Sequence, residues 1–314
     1  MTSKTVALLR GMLRRTGDGP GPQVSELAVD EADNGGWRQT VAVFCHNRPA
    51  FVGAIVIVAL VLFCFLGPVV YHSNQVLTDI GIANEGPSGA HPLGTNGVGY
   101  DELGRLMSGG QSTLVVALAV AVLATSFGAL FGAVAGIVGG WVDGVLMRAV
   151  DAILAIPVLF LLLFLAALIT PTEGVLVVIV AFTGWPTTAR LVRSETLSLR
   201  TRVYVDAARS HGAGALWIIL RHILPNVLGT VAVNGTFQVA NAVLAVAYLG
   251  FLGMGIPPPA ANWGEMLSDG VSFVFAGYWW EIVPVAVCLV LLVVSFNLVG
   301  DGLRDVAEVR LRER

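Results

Sequence analysis

Apolar residues along this chain gather in long runs, and polar residues gather between them. Six runs have the length of a bilayer crossing or come near it: 49–71, 112–138, 145–170, 174–189, 227–254 and 280–299. A helix rises 1.5 Å per residue, so about 20 residues cross the hydrocarbon core. The fourth run is short by that measure. It predicts either local thinning of the bilayer or shielding inside a helix bundle. The pattern therefore predicts an all-α membrane protein. It has a polar tail over 1–48, a first span over 49–71 and an outer loop over 72–111. A core with five more spans follows over 112–303, then a short tail over 304–314. No apolar core precedes residue 49, so the tail does not read as a cleavable signal peptide. Within it, KTVALLRGMLRR has the pattern of a basic amphipathic helix lying on a membrane, with a loosely ordered tail as the alternative.

Composition agrees with this reading. The 314 residues are 55% hydrophobic and only 12% charged, about half the charged fraction of a soluble domain. The few cations orient the chain. Of 18 Lys and Arg, 17 fall in four stretches: 1–48, the junction of the second span with the start of the third, 190–226, and beyond 299. Arg105 alone falls on the other side. The positive-inside rule then predicts that both ends lie in the cytoplasm.

Several chemistries are excluded or disfavoured. Net charge is −3, which gives no bulk signal for nucleic acid. Cys45, Cys64 and Cys288 form no CxxC, so neither a disulfide framework nor a zinc site is expected. The only lysine is Lys4, so no P-loop exists to hold a nucleotide. Neither a GxSxG nor an HExxH motif occurs. The spans carry almost no ionisable groups, which argues against a proton relay or a charged channel ring. Uphill transport by such a chain would need energy from a partner.

Small residues and prolines shape the rest. Gly128, Gly132, Gly136, Gly139 and Gly140 recur at helical spacing, which predicts a close helix-packing face. Pro257, Pro258 and Pro259 end the fifth span. Trp263, Trp279 and Trp280 suit a headgroup-level aromatic belt. The outer loops read either as a docking surface or as plain connectors. Asp143, Arg148 and Asp151 lie near the start of the third span. Arg148 and Asp151 are three residues apart, so they share a helix face and predict a local pair at the cytoplasmic mouth.

The segment DAARSHGAGALWIILRHILP, residues 206–225, interrupts the apolar pattern. Tyr204, Asp206, Ala207, Ala208 and Arg209 read as a short helix. Gly212, Ala213 and Gly214 form a break, since glycine is costly inside a helix. Residues 215–223 read as a second helix, with His222 and Leu224 closing the segment. Pro225 suits the first turn of the fifth span, where its missing N–H costs nothing. This is a compact helical knob over 203–225, with an ordinary basic loop as the alternative.

The spacing of Asp206, Ala207, Ala208 and Gly212, followed by His222–Asn226, resembles the EAA loop of ABC-importer permeases. HPLGTNGVGYDELGRLMSGG, GGWVDGVLMRAVDAILAIP, GFLGMGIPPPAANWGEMLSDG and FNLVGDGLRD resemble stretches of the second-subunit permeases for dipeptides and oligopeptides. The resemblance covers about residues 91–306. It departs at Asn96, where aspartate is usual, at Tyr100, where arginine is usual, and at Val246, near a common glutamate.

The resemblance implies a type I importer fold and a non-catalytic pore subunit. It implies a second homologous permease, two ATPase subunits and an extracytoplasmic binding protein as partners in a bacterial cytoplasmic membrane. ATP and Mg would sit on the ATPases, and this chain would bind no cofactor. Residues 203–222 would be the coupling element, with Tyr204, Asp206, Ala207, Ala208, Arg209, Gly212 and Ala213 meeting the ATPase. The cargo would be a peptide, with a nickel complex or another small solute as alternatives. The competing reading from the residues is an ion-coupled carrier or channel that works without an ATPase.

Overall fold

The computed structural model describes residues 46–73, 77–257 and 259–312. The amphipathic stretch near the amino terminus, Cys45 and Pro258 lie outside the described residues. Among the described residues the regular elements are helices: α1 (Arg48–Val70), α2 (Glu102–Val138), α3 (Gly140–Leu154), α4 (Val158–Leu168), α5 (Glu173–Leu199), α6 (Val203–Ser210), α7 (Ala215–Ile218), α8 (Leu224–Phe251), α9 (Trp263–Phe273) and α10 (Val283–Arg312). Five helical stretches are long and apolar enough to cross a membrane, and α3 with α4 makes a sixth if the bent pair is one span.

The pair α2 and α5 forms the centre. Gly128, Gly132 and Gly136 lie where the two backbones meet. A Cβ on Gly128 would come within 2.6 Å of the Trp185 carbonyl, and one on Gly136 within 2.6 Å of Thr196 Cβ. A Cβ on Gly132 would overlap the Ala189 carbonyl. The spacing seen in the sequence is thus a packing face. Outside this pair, α1 lies along α10. Its Gly53 faces the Ser295 carbonyl, which would be 2.9 Å from an added Cβ. Asn47 accepts from the Ala50 N–H at 3.2 Å and so caps α1, while its amide donates to Asp305 Oδ2 at 2.8 Å.

Four elements differ from the spans read off hydropathy. Helix α2 starts at Glu102, because Asp101 accepts from the Gly104 N–H at 2.7 Å and caps it there. Helix α5 has 27 residues, so no membrane thinning is needed, and its apolar window is 56% buried, which is the shielding inside the bundle that the sequence allowed. Hydropathy marks where a helix leaves the apolar layer, and α5 continues past that point through Arg190 and Arg193. The third span is two helices meeting at 86°. Pro157 has no N–H and disfavours helical backbone at Ile156, so the chain turns there. The sixth span is preceded by a 3-10 turn, Trp279–Glu281, and α10 continues helical to Arg312 through most of the predicted tail.

The outer loop is built rather than slack. Asn96 accepts from the N–H groups of Val98 at 3.2 Å and Tyr100 at 2.9 Å. Thr95 and Asp101 form a single antiparallel bridge. Trp280 donates its indole N–H to the Thr95 carbonyl at 3.2 Å, and Trp263, fully buried, donates to the Leu106 carbonyl at 2.9 Å. Those two indoles therefore serve the interior instead of a headgroup belt, because their N–H groups find carbonyls there. Trp279 stays half exposed.

Candidate coupling site

The knob is built around one glycine. Helix α6 ends at Ser210, and Gly212 takes a φ of +83°. The Ala213 N–H donates to the Ala208 carbonyl at 3.0 Å, and the Gly212 N–H donates to the Arg209 carbonyl at 2.9 Å. These two bonds with a left-handed glycine make a Schellman cap, which satisfies carbonyls the helix end would leave open. Ala208, Arg209, Gly212 and Ala213 are thus four positions of one turn motif. Ala207 contributes its carbonyl to the His211 N–H at 3.1 Å and to His211 Nδ1 at 2.8 Å.

The second half of the knob corrects the sequence reading. Pro225 lies in the first turn of α8, as expected, but the second helix runs into that span without interruption, and residues 215–251 form one helical stretch. It contains a π-helical segment, Ile219–Ile223, in which the Leu224 N–H donates back to the Ile219 carbonyl. Pro225 causes this local widening. Its nitrogen has no hydrogen and its ring crowds the preceding turn, so the ladder skips one residue ahead of it. The Asn226 side chain donates to the His222 carbonyl at 2.6 Å.

One side of the knob is anchored. Val205, Ile218, Ile219, Ile223 and Val227 are buried in a cluster with Ala129, Ala133 and Ile137 of α2 and Val192 of α5. The other side presents apolar groups outward. Leu216 is 63% exposed, Trp217 51% and Tyr204 40%. His222 sits between two of them, 5.6 Å from the Tyr204 ring and 5.1 Å from Trp217. Asp206 is exposed in the first turn of α6, where the helix dipole favours an acid, and reaches Arg209 only at 3.9 Å. The sequence pattern does not single out Leu216, Trp217 or Leu220. The available signal is a tryptophan and two leucines in a segment that the charge count places outside the apolar layer.

Beside the knob, two ion pairs bind α3 to α5. Arg193 holds Asp143 with two bonds, at 2.5 and 2.6 Å, and Arg190 holds Asp151 at 2.5 Å. Arg200 donates to the Gly136 carbonyl at the end of α2 at 3.0 Å. The expected Arg148–Asp151 pair does not form. Asp151 turns toward α5, and Arg148 is exposed with no ion pair among the described residues. Asp151 makes a single charge-assisted bond to Arg190 across the helix contact in place of a pair three residues away on its own helix.

The profile of the binding-protein-dependent transport system inner membrane component matches residues 128–313. The chain belongs to that family. A second profile, the N-terminal transmembrane domain of oligopeptide transport permease C, matches residues 36–87. The oligopeptide transport system permease protein OppC of Bacillus subtilis is 32% identical over 277 residues, 88% of this chain and 90% of the relative. The dipeptide transport system permease protein DppC of the same organism is 33% identical over 266 residues, 85% and 83% of the two chains. A Brucella suis protein with a provisional peptide-permease name is 39% identical over 282 residues, 89% and 93% of the two chains. The matched region contains the knob, its anchor and both ion pairs of this transport component.

The opposite end of the transport component carries a cluster of acids around Arg105. Arg105 is buried, with its guanidinium 4.7 Å from the centre of the Tyr100 ring. Tyr71 donates to Asp101 Oδ2 at 2.7 Å, and His91 Nδ1 lies 2.8 Å from the same oxygen. Burial pushes the Glu265 carboxyl on α9 up to about 7, with Arg105 opposing the rise and Asp269 adding to it. Burial, then the bond and charge of Asp101, pushes the Tyr71 phenol up to about 12.

Proposed function

We propose that this chain is a pore subunit of an ATP-driven importer of peptides, and that it receives work through the knob at 203–225. The observation that carries the reading is the two-sided knob. An apolar outer face with Tyr204, Leu216 and Trp217 is joined to an aliphatic anchor on α2 and α5. A partner that grips the outer face moves the central helix pair with it. The chain would catalyse nothing. A second homologous permease would complete the pore, two ATPase subunits would hold ATP and Mg, and a binding protein would deliver cargo. Lys4 being the only lysine supports placing the nucleotide on other chains. The division of 17 cations from Arg105 supports a bacterial cytoplasmic membrane with both termini inside. The names of the relatives support a peptide cargo.

The test is co-purification of tagged chain in mild detergent, followed by labelled-peptide uptake. An ATPase and a second permease should be recovered with the wild type. Trp217→Ala should weaken that recovery at least tenfold, as a large aromatic anchor does when truncated. A chain that takes up its solute alone, with no ATPase present, refutes the reading.

A further inference from the structure

One stretch of α8 departs from the apolar surface of the other spans. On α1 the exposed positions include Phe51, Val52, Ile55 and Val58, and on α10 they include Val287 and Val290. Those faces suit hydrocarbon. On α8, between residues 238 and 250, the exposed positions are Asn241 and Tyr248, seven apart and hence on one face. The positions around them, Val239, Ala242, Val243, Val246 and Leu249, are apolar and buried. Gln238 lies one turn before Asn241 on the same face and is only 8% exposed. Its amide fills the space left by Gly184 on α5, where a Cβ would overlap it.

Neither amide has a hydrogen-bond partner among the described residues. Other span amides do. Asn234 donates to Thr188 Oγ1 at 2.7 Å, Asn297 to the Val293 carbonyl at 3.0 Å and Gln111 to the Cys64 carbonyl at 2.7 Å. Asn241 lies about 5 Å past the midpoint of α8, well inside the apolar layer. Two unpaired amides at that depth are costly against lipid tails. Intramembrane polar groups belong on a protein contact or a water-filled cavity.

We propose that Gln238, Asn241 and Tyr248 line a water-filled passage and hydrogen-bond the amide groups of the passing peptide. A side-chain amide both donates and accepts, which matches a peptide unit whatever its side chains are. The stripe therefore recognises backbone, not sequence. This rests on the importer reading for its cargo, but water access does not.

The test separates the two. In membrane vesicles of the native host, Cys45, Cys64 and Cys288 are replaced by alanine, and Asn241→Cys, Tyr248→Cys and Val290→Cys are introduced singly. The vesicles are opened by freeze–thaw and treated with a membrane-impermeant methanethiosulfonate. Asn241→Cys and Tyr248→Cys should react at least tenfold faster than Val290→Cys. Equal rates overturn the passage and assign the stripe to a dry helix contact. This readout needs no transport, so its failure differs from loss of ATPase recovery. For recognition, Gln238→Leu and Asn241→Leu should raise the uptake KM for a short peptide at least fivefold, and Asn241→Gln should restore most of it. An unchanged KM in both leucine variants overturns the recognition role.

Discussion

Replacing Gly212 isolates the conformation of the knob from its packing. At φ +83° a side chain is strained, yet an added Cβ would meet nothing within 4 Å. The penalty is therefore conformational and not a clash. Left-handed backbone costs an L-residue roughly 1–2 kcal/mol, more for a β-branched one and less for asparagine. If the docked knob requires this turn, that strain weakens partner binding by roughly 5- to 30-fold. Gly212→Asn should lose least, Gly212→Ala more and Gly212→Val most. The assay is the amount of ATPase co-purified at fixed detergent, together with labelled-peptide uptake. Asparagine is larger than alanine, so a steric mechanism orders those two the other way. Finding alanine milder than asparagine, or all three variants normal, refutes the reasoning.

Three further outcomes follow from the packing and the charges. Asp143→Asn should lower the thermal midpoint in detergent by leaving Arg193 half-buried without its bidentate partner, and the swap Asp143→Arg with Arg193→Asp should recover part of it, while Arg148→Ala changes nothing. Gly132→Val should cost about 2–3 kcal/mol by driving a side chain into the Ala189 carbonyl, read as reduced thermal stability against a neutral Gly174→Ala, where space is open. Glu265 is raised from 4.5 to about 7, so folding opposes its ionisation. Its contribution to stability is greatest below about pH 4.5, falls as pH rises toward 7 and is level above that. Thermal midpoints should decline with pH over that window less in Glu265→Gln than in the wild type.

The spans were legible because apolar runs report the membrane layer directly. The same signal misplaced helix ends, since α5 continues through Arg190 and Arg193 and α2 begins at the Asp101 cap. Pro157 carried the information for the bend, but a single proline inside an apolar run does not give an angle. The end of α6 at the glycine break was readable from Gly212, but the Schellman hydrogen bonds that close it were not. The pairs Asp143–Arg193 and Asp151–Arg190 were not, because their partners lie 50 and 39 residues apart. Arg105 looked like a lone outer cation. Only the fold reveals that it is enclosed with Tyr100 and near Glu265 and Asp269.

The wide turn at Ile219–Ile223 has a consequence for how the knob is aimed. A skipped residue in the ladder offsets the helix on one side from the helix on the other by one position, about 100° of azimuth. The bearing of Trp217 relative to α8 is therefore stored as a residue count between Gly214 and Pro225. Substitutions in that interval preserve the bearing so long as the count holds. Deleting one residue would keep every side-chain type represented and still point the knob a quarter-turn away.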